Sequence, residues 1–474
     1  MFFNIDNFKY DKTLMISKRH IPFVSIIVLN YYGEKVISNV INSVQKQNYP
    51  KNKFEVIVVD NNSKDNSLNI LKEMQTRLSN LRLITISENL GFSKGNNIGI
   101  REAKGEYIAL LNNDCVVDKN WLKESLRTAL KDPKIFATSP KILLYQKYYE
   151  LNLKLDQGTE SFYSFVSKTN LYKFGGKRIY FNTYYTENTL YAQIPYDPVS
   201  DTEIEVEIAL HTKKKEPSKQ ISDMPTNIKV LSIKTLKKDI IIKLRIALAS
   251  KKSLSKIQNA GIIPFQDGYA RDIGAIVRDK TQYYEYDDGQ YNKELEIYAF
   301  CGAAVLMNKK ILEEIGYLDE TFFMYYEDVE LSERARIKGY KVVYSPKAEI
   351  RHIHALSSKE GSPFFTYHVE RGRLLHVFYN YPFKIFTKQY VKTVFIVIYG
   401  LINILMSLKY LKAISKDKSK DKPNFARTFQ LIKVLTYFII NSPKFIFVRS
   451  KKNYKHTQVL QNYEQVIAGK WYFN

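Results

Sequence analysis

Tyr107-Ile-Ala-Leu-Leu-Asn-Asn-Asp114 is the stretch that decides the fold, because an apolar run ends here in two amides and a carboxylate. The run at 107–111 predicts a buried strand, with the polar residues at its carboxyl end. A similar run at 54–59 ends at Asp60. Ligands of open α/β sheets bind outside the carboxyl ends of the strands. The stretch therefore predicts an α/β fold with a binding site at its strand ends.

Short apolar runs alternate with helical stretches over residues 24–132, which is typical of a parallel sheet. We predict strands at 24–29, 54–59, 81–86 and 107–111, and helices at about 34–47, 65–78 and 92–103. Farther along we predict strands at 297–307 and 341–345, helices at 309–315 and 329–338, and, after Gln258, loops at 259–261 and 272–274. Polar residues at the ends of the first four strands are expected to converge: Asn30, Asp60, Asn89, Asn112, Asn113 and Asp114.

The composition changes between residues 145 and 252. Runs such as 202–209, 227–233 and 239–246 alternate polar and apolar residues, and turn-forming stretches separate them. A period of two indicates half-buried strands. The segment is therefore predicted to be an inserted antiparallel β domain. Its role stays open between acceptor binding, partner docking and simple spacing.

The net charge is strongly positive and concentrated near the carboxyl terminus. The 474 residues carry a formal charge of +24, and residues 384–474 hold 17 Lys or Arg against three acidic residues. Basic side chains beside an anionic leaflet each contribute about 1 kcal/mol. The charge indicates an anionic partner, either a phospholipid surface or nucleic acid, and cannot by itself choose between them.

Apolar segments at 393–408 and 429–448 favour the membrane. The first is 16 residues long, shorter than the roughly 20 that span a bilayer, and the second is interrupted by Lys433, Pro443 and Lys444. We expect interfacial or re-entrant helices, joined by a solvated linker at 416–422; the alternative is a buried helical hairpin or a homodimer contact. Residues 1–20 lack the continuous apolar core of a secretory signal, so we expect the catalytic part to stay in the cytoplasm.

The chain has two cysteines, Cys115 and Cys301. This number argues against a disulfide framework and favours a reducing compartment. Both cysteines are expected to pack as small apolar residues.

Several polar residues are candidates for chemistry. The Asp60 carboxylate can accept the imide N–H of uracil or thymine, whereas residues 61–65 are expected to form a turn and cap a helix. Asp114 is the candidate ligand for Mg²⁺ or Mn²⁺, which take one or two carboxylates together with diphosphate oxygens; the alternative is a strand-end turn.

Glu327 and Asp328 follow the aromatic run Phe322-Phe-Met-Tyr-Tyr326. A carboxylate in such apolar surroundings gains proton affinity and can act as a general base toward a sugar hydroxyl. The alternative is a pair of acids that favour the first turn of a helix.

Basic residues farther along have two readings each. His352 or His354 could complete a metal site or be structural. Arg371 and Arg373 could clamp a diphosphate or form a basic helix face beside the membrane.

Seven ordered motifs carry a resemblance to a known family: Val24-Ser-Ile-Ile-Val, Val58-Val-Asp-Asn-Asn-Ser, Glu88-Asn-Leu-Gly-Phe-Ser, Leu111-Asn-Asn-Asp, Cys301-Gly-Ala-Ala, Phe323-Met-Tyr-Tyr-Glu-Asp-Val-Glu-Leu, and Arg351-His352 through Ser357-Ser358. Over roughly 22–144 and 256–380 the chain resembles the family 2 inverting glycosyltransferases, particularly rhamnosyltransferase-like members of polysaccharide assembly. The resemblance implies the GT-A nucleotide-diphospho-sugar transferase fold, a Rossmann-like mixed sheet. To this fold the chain adds the inserted antiparallel β domain and a C-terminal helical membrane-associated region.

The resemblance also implies roles for single residues. Asp60 would read the pyrimidine base, and Asp114 would bind Mg²⁺ or Mn²⁺ together with His352. Asp328 would be the catalytic base, with Glu327 supporting the acceptor side. Arg371 occupies a recurrent arginine position. The donor-binding set is completed by Asn30, Asn89, Asn112 and Asn113.

The sequence departs from the family pattern at three places. Asn112 replaces the first Asp of the full acidic motif, so metal affinity rests more on Asp114 and His352. Gly372 stands where relatives often have Asn, which weakens the assignment of Arg371. The inserted β domain has no counterpart in the family pattern.

Five segments follow: an N-terminal extension (1–20), a nucleotide-sugar-binding half (21–144), the inserted domain (145–252), an acceptor and catalytic half (253–380) and a basic, apolar helical membrane-associating region (381–474). The expected activity is inverting, metal-assisted transfer from a UDP- or dTDP-sugar to a lipid-linked or cell-surface glycan, at the cytoplasmic face of the cell membrane through peripheral or shallow insertion. A non-catalytic glycan-binding scaffold is the alternative, and a nucleic acid partner is not expected.

Overall fold

The computed structural model of the chain describes residues 20–155, 159–168, 183–186, 189–196, 203–212, 221–222, 228–236, 239–248, 253–265, 267–278, 281–353, 361–410 and 425–451. Several expectations from the sequence lie outside the described residues. These are the N-terminal extension up to residue 19, His354 with Ser357 and Ser358, the linker at 416–422, and the chain beyond residue 451.

The first part of the chain alternates strands and helices as predicted. Its strands are β1 (Val24–Asn30), β2 (Phe54–Asp60), β3 (Leu81–Thr85), β4 (Tyr107–Asn112), β5 (Cys115–Val117) and β6 (Ile135–Leu144). Its helices are α1 (Ile37–Gln45), α2 (Ser67–Arg77), α3 (Gly91–Glu102) and α4 (Trp121–Ala129). The four predicted strands and three predicted helices are confirmed, with small shifts at their ends.

The inserted segment contains β7 (Lys147–Leu155), β8 (Thr159–Lys168), β9 (Thr183–Thr186), β10 (Thr189–Tyr196), β11 (Glu203–Thr212), β12 (Ile221–Ser222), β13 (Ile228–Leu236), β14 (Asp239–Ala247) and β15 (Ser253–Leu254). They form two sheets, one with the order β12-β7-β10-β9 and β15 beside β7, the other with the order β13-β14-β11-β8. Every described pairing among these strands is antiparallel, as the period of two predicts.

After the inserted segment, the chain returns to the sheet that contains β1 to β6. The remaining strands of the chain are β16 (Ile257–Asn259), β17 (Ile262–Pro264), β18 (Ala270–Asp272), β19 (Ala275–Arg278), β20 (Thr281–Tyr284), β21 (Leu295–Ile297), β22 (Ala304–Asn308) and β23 (Lys341–His352). Its helices are α5 (Lys309–Ile315), α6 (Glu327–Ile337), α7 (Pro363–Asn380), α8 (Phe383–Tyr410) and α9 (Phe425–Ser450).

The central sheet is mixed. Its order is β21-β23-β6-β22-β4-β1-β2-β3, with β16 beside β6 and β5 beside β23. Strands β1 to β4 are parallel, while β22 runs antiparallel between β4 and β6. A Rossmann-like parallel half is thus extended by a mixed half, in which β22 is antiparallel to both neighbours while β6 and β23 are parallel.

Helices cover both faces of this sheet because successive strand residues point to opposite faces. Ile26 and Val28 of β1 pack in one core cluster with Leu71 of α2 and Trp121 of α4. Ile27 packs in a second cluster, where helices α3, α5 and α6 contribute Ile100, Ile311, Leu312, Leu331 and Ala335. The near-continuous burial of β1 and β2 is what a parallel strand covered on both faces requires.

One prediction in the second half needs correction. The strand expected at 297–307 is two short strands, β21 and β22, separated by a turn at 298–303. Tyr298 and Phe300 in this turn are buried although they lie outside a strand, so hydrophobicity alone could not locate the break. The loops expected at 259–261 and 272–274 are found at 260–261 and 273–274, between short strands.

The C-terminal helices are longer than predicted. Helix α8 has 28 residues and α9 has 26, and both are long and apolar enough to cross a membrane by length and composition. The apolar segment predicted from the sequence began only at Thr393, because three lysines precede that residue. Lys384, Lys388 and Lys392 are all exposed at four-residue spacing, so they lie along one face of a continuous helix.

Candidate active site

The strand ends carry a connected set of polar side chains, as predicted. The Asn30 amide donates to Asp60 Oδ1 at 2.7 Å, and Asn30 Oδ1 accepts from the Asn113 amide at 3.1 Å. Both Asn30 and Asp60 are buried. Parallel pairing of β1 with β2 and β4 places these residues side by side. Three of the predicted donor-binding residues therefore form one hydrogen-bonded chain across neighbouring strands.

Asp60 also shapes its own loop. Its Oδ2 accepts from the Ser63 backbone N–H at 3.1 Å, while Asp65 accepts from the backbone N–H of Ser67 at 3.2 Å. These contacts form the turn expected for 61–65, but the expected helix caps are not found, because α2 begins after Asn66 and has no side-chain cap. Each carboxylate oxygen of Asp60 accepts one of these hydrogen bonds and has a second lone pair, so the group keeps acceptor capacity for a ligand.

Asn89 lies in a turn that Asn61 organises. Asn89 is exposed, and its Oδ1 accepts from the Asn61 amide at 2.9 Å and from the Gly91 backbone N–H at 2.9 Å. Gly91 has a φ of +80°, and a Cβ there would lie 2.5 Å from Phe323. Glycine at this position thus lets the start of α3 approach the aromatic run that precedes Glu327.

Asp114 and His352 lie next to each other where β5 pairs with β23. The antiparallel pairing sets His352 opposite Cys115, the residue after Asp114. His352 Nε2 lies 3.0 Å from Asp114 Oδ1, and both side chains are buried. The pair is not aligned as a hydrogen bond: Asp114 Oδ1 is buried and accepts no hydrogen bond within the described part of the chain. The His352 Nδ1 atom lies 2.9 Å from Gln258 Oε1.

These two residues fit a divalent cation. A buried carboxylate oxygen without a donor is costly unless a cation neutralises it. A separation of 3.0 Å also matches two neighbouring ligands of an octahedral ion with bonds of about 2.1 Å. The Cys115 thiol is within reach of both groups, but it donates to the Ala303 carbonyl at 3.5 Å and packs in the core, as predicted. Burial raises the pKa of the Cys115 thiol, and the neighbouring Asp114 raises it further.

Glu327 and Asp328 begin helix α6, and their surroundings differ. Asp328 Oδ2 accepts from the Gly302 backbone N–H at 2.9 Å, and its Oδ1 accepts from the Val329 backbone N–H at 2.8 Å. Glu327 is buried, and its Oε2 accepts no hydrogen bond from the described residues. Two donors therefore favour the charged form of Asp328, and none of this kind favours a charge on Glu327 Oε2.

The pKa values follow from these environments. Burial raises the pKa of Glu327 well above its usual range, and the neighbouring Asp328 raises it further. Burial also raises the pKa of Asp328, while the backbone N–H groups of Gly302 and Val329 oppose the rise. Since two backbone N–H groups bind the Asp328 carboxylate and Glu327 Oε2 has no donor among the described residues, the geometry favours a proton on Glu327 rather than on Asp328. Asp328 is thus the carboxylate that is available to accept a proton.

An unusual turn presents the two acids. Tyr325 and Tyr326 both adopt left-handed backbone conformations, with φ of 67° and 73°, immediately before α6. Such conformations are strained for bulky residues and persist where packing enforces them. Here helix α7 packs against the turn: a Cβ on Gly372 would lie 2.9 Å from the Tyr325 carbonyl oxygen. Gly372 is therefore required for this close approach.

One turn connects the two acidic groups. The Ala303 carbonyl accepts from the Asn112 backbone N–H at 2.9 Å, and the preceding residue, Gly302, donates to Asp328. Adjacent residues of the turn at 298–303 thus contact the end of β4 and the first turn of α6. The turn thus lies between the end of β4, which leads to the predicted metal ligand Asp114, and the predicted base Asp328.

Arg371 is neither on an exposed helix face nor paired with a carboxylate among the described residues. Its guanidinium is buried between the rings of Tyr367 and Tyr437, at 5.6 and 5.1 Å, and its Nε and one terminal nitrogen make no hydrogen bond to described residues. Arg373 donates to Glu370 at 3.0 Å and is structural. Tyr437 belongs to α9, so the C-terminal helices contribute to the surroundings of Arg371.

Reasoning from the sequence missed Gln258, Gly302 and the Tyr325–Tyr326 turn. Gly302 carried a signal, because it lies in the quoted motif Cys301-Gly-Ala-Ala. Left-handed tyrosines and a buried glutamine have no such signal, since their roles depend on partners that are distant in the sequence.

The proteins whose sequences are similar to this chain include glycosyltransferases. Residues 25–186 match the family described as Glycosyl transferase family 2. Glycosyltransferase AglE of Haloferax volcanii is 36% identical over 108 residues, which are 23% of this chain and 36% of that protein. The poly(ribitol-phosphate) beta-N-acetylglucosaminyltransferase TarS of Staphylococcus aureus is 36% identical over 102 residues, 21% of this chain and 18% of that protein. The chain thus spans well under two thirds of either relative.

Solved structures give weaker likenesses. GalNAc-T7 with UDP, GalNAc and Mn²⁺ has a TM-score of 0.43 at 13% identity, covering 75% of this chain and 48% of that one. Residues 1–349 of S. aureus TarS with UDP-GlcNAc have a TM-score of 0.36 at 16% identity, covering 94% and 91%. The sheet order described above and the family match, rather than these scores, identify the fold. Residues 25–186 thus match glycosyl transferase family 2, and the chain has the mixed α/β sheet of the GT-A fold.

Proposed function

We propose that this protein is an inverting glycosyltransferase that moves a sugar from a UDP- or dTDP-sugar to a glycan or lipid-linked acceptor at the cytoplasmic face of a membrane. The observation that carries the proposal is the turn at 298–303. It contacts the strand that leads to Asp114 and also donates from Gly302 to Asp328. Sugar transfer requires that the strand ends that bind the nucleotide and the group that accepts the proton lie in one site.

The acceptor hydroxyl oxygen attacks the anomeric carbon from the face opposite the leaving group. The new glycosidic C–O bond forms as the bond from the anomeric carbon to the diphosphate oxygen breaks, which inverts the configuration. Asp328 takes the hydroxyl proton, and the electron pair of the broken bond leaves with the nucleotide diphosphate. A raised pKa suits Asp328 to this task, because a base is most effective when its pKa approaches the working pH.

Asp114 and His352 are the residues that would hold Mg²⁺ or Mn²⁺, which supplies positive charge beside a leaving diphosphate. Asp60 would accept the N3–H of the pyrimidine, with Asn30 and Asn113 fixing its orientation. Asn89 and Asn112 would support the same pocket through their loops. Arg371, with a guanidinium that lacks an acidic partner among the described residues, would contribute positive charge toward the phosphates.

The acceptor class is supported by the names of relatives. TarS acts on poly(ribitol phosphate), and a protein of Methanococcus voltae that is 28% identical over 108 residues acts on a dolichyl phosphate-linked sugar. Polymers of the cell envelope and lipid-linked sugars are both made next to a membrane. We therefore propose an acceptor of this class, without assigning its sugar or linkage.

Helices α8 and α9 support membrane attachment. Their exposed apolar residues include Phe395, Tyr399, Ile439 and Ile440, each at least 65% exposed. Isolated exposed apolar residues are ordinary, but a long apolar face beside lysines is a membrane-binding feature. The same face could instead bury itself in a homodimer, and vesicle binding separates the two outcomes.

The function is tested by measuring nucleotide diphosphate release from UDP-, dTDP- and GDP-sugars with Mn²⁺, with Mg²⁺ and with EDTA. Release from one donor that requires a metal and is lost in Asp114→Ala supports the proposal and names the sugar. Nucleotide binding without release indicates that an acceptor is needed, and the panel is then repeated with membrane extracts as acceptor. Absence of both nucleotide binding and release would overturn the proposal in favour of a non-catalytic scaffold.

A further inference from the structure

Gln258 is a buried side chain for which the proposed reaction has no direct use. It lies 2% exposed on β16, and its Oε1 faces His352 Nδ1 at 2.9 Å. Glutamine is seldom buried unless its amide is paired, so the contact requires an explanation. The geometry points to Gln258 as a positioning residue that holds the His352 ring and its tautomer for a divalent cation. This inference rests on the proposed metal site.

The tautomer follows from the hydrogen bond. With a carbonyl oxygen facing it, Nδ1 of a neutral imidazole carries the proton and donates. Nε2 then has a lone pair, and it lies 3.0 Å from Asp114 Oδ1. Two lone pairs at this distance repel one another unless a cation lies beside both or Nε2 is protonated, and the lack of an aligned hydrogen bond to Asp114 Oδ1 favours the cation. Metal-binding histidines ordinarily donate their other N–H to such a carbonyl or carboxylate, which fixes the ring and strengthens the ligand.

The backbone around Gln258 is fixed on both sides. The Ile257 N–H donates to the Glu285 carbonyl at 2.8 Å, and the Lys256 carbonyl accepts from Leu144 at 3.0 Å. Asn259 donates to Asp272 Oδ1 at 2.8 Å. The Gln258 amide is thus presented from a strand whose neighbours are all hydrogen-bonded, as a positioning role requires.

Gln258 also lies where the inserted segment connects to the central sheet. Strand β15 pairs with β7 of the inserted segment, and β16, which follows almost directly, pairs with β6 of the central sheet. The inserted segment therefore returns to the sheet through the strand that bears Gln258. The inserted segment and the metal site share this connection.

The test is Mn²⁺ affinity of the full chain, measured from the free-ion signal in electron paramagnetic resonance, with nitrogen modulation of bound Mn²⁺ as the signature of imidazole ligation. Gln258→Met keeps the length of the side chain and removes the strong acceptor. We expect Mn²⁺ to bind about 10- to 100-fold more weakly, with weaker nitrogen modulation. Gln258→Glu keeps an acceptor and is expected to bind Mn²⁺ at least as tightly as the wild type.

A double-variant comparison separates positioning from general damage. In a His352→Ala background, Gln258→Met should change Mn²⁺ affinity by less than about twofold, because the ring on which it acts is absent. Equal weakening in both backgrounds, or unchanged affinity in Gln258→Met, would overturn the inference while leaving the metal site intact. If Gln258→Met fails to fold, weaker binding by Gln258→Glu overturns it instead. Absence of Mn²⁺ binding by the wild type would overturn both the metal site and the role of Gln258.

Discussion

Asp328 accepts a hydrogen bond of 2.9 Å from the backbone N–H of Gly302, a residue that is 26 positions earlier in the chain. This contact holds the carboxylate against the turn at 298–303 and lowers its affinity for a proton. Glu327, one residue away, is buried without a comparable donor on Oε2. Adjacent acids are thereby divided into one that is preferentially charged and one that is preferentially neutral.

Glu327→Gln should stabilise the protein increasingly as the pH rises. The folded-state pKa of Glu327 is raised above its unfolded value of about 4.3, so the folded protein holds the extra proton. The stability due to that proton is complete below the unfolded pKa and is lost as the pH rises toward the folded pKa, by up to about 1.4 kcal/mol per pH unit. Chemical unfolding of both proteins between pH 5 and 9 measures the difference, and a difference that does not grow with pH would contradict the assignment.

Gly372→Ala should lower both stability and turnover. Alanine inside a helix ordinarily stabilises by about 1 kcal/mol relative to glycine. At this position the new Cβ would meet the Tyr325 carbonyl oxygen at 2.9 Å, so we expect a loss of about 1–3 kcal/mol and a displaced turn before Glu327. Thermal unfolding and kcat are the measurements.

Gly339→Ala is the matched control for Gly372→Ala. Gly339 has a φ of +84° with nothing within 4 Å of an added Cβ, so alanine there costs backbone strain without touching the site. Both variants should lose stability, and Gly372→Ala alone should lose kcat. Equal effects on kcat would show that the approach of α7 to the turn has no part in positioning the acids.

Asp60→Ala should weaken UDP binding by about tenfold or more, because a charged acceptor for the base is lost. Asp65→Ala is the control, since Asp65 lies in the same loop and accepts from the backbone N–H groups of Ser67 and Glu34. Both changes should lower the melting temperature, whereas Asp65→Ala should alter UDP affinity by less than about threefold. Calorimetric titration with UDP separates the two, and equal losses would make Asp60 purely structural.

Phe395→Glu should weaken binding to vesicles of anionic lipids by about tenfold or more. The change replaces an apolar side chain that would enter the bilayer with a negative charge. Phe395 is 65% exposed on α8. Leu130→Glu, at an exposed apolar residue after α4, should leave vesicle binding unchanged. If Phe395→Glu binds vesicles normally but turns a dimer into a monomer in sedimentation, the apolar face is a subunit contact instead.

Much of the fold could be predicted because its signals are local. The alternation of β1 through β4 with α1 to α3, and the helix at Lys309–Ile315, follow from apolar periodicity within short windows. The division of one expected strand into β21 and β22, and the full length of α8, depend on what packs against those residues. Periodicity contains no information of that kind.

The site residues likewise include some that local sequence signals predict and others that only the structure reveals. Asp60, Asp114 and Asp328 stand at element ends, where polar residues after apolar runs are informative. Gln258 became visible only through the pairing of β16 with β6 and its distance to His352, a residue 94 positions away. Partners that are brought together by sheet topology cannot be found from spacing.

The most direct test of the account compares Asp328→Asn and Glu327→Gln with the wild type, in nucleotide-sugar affinity and in turnover of the donor identified by the panel. The amide at 328 preserves size but cannot accept the hydroxyl proton, so Asp328→Asn should bind the donor within about threefold of the wild type and lose about 10²- to 10⁴-fold in kcat. Glu327→Gln should keep most of the turnover. Turnover by Asp328→Asn at the wild-type rate would contradict the assignment of Asp328 as the base, and with it the proposed mechanism.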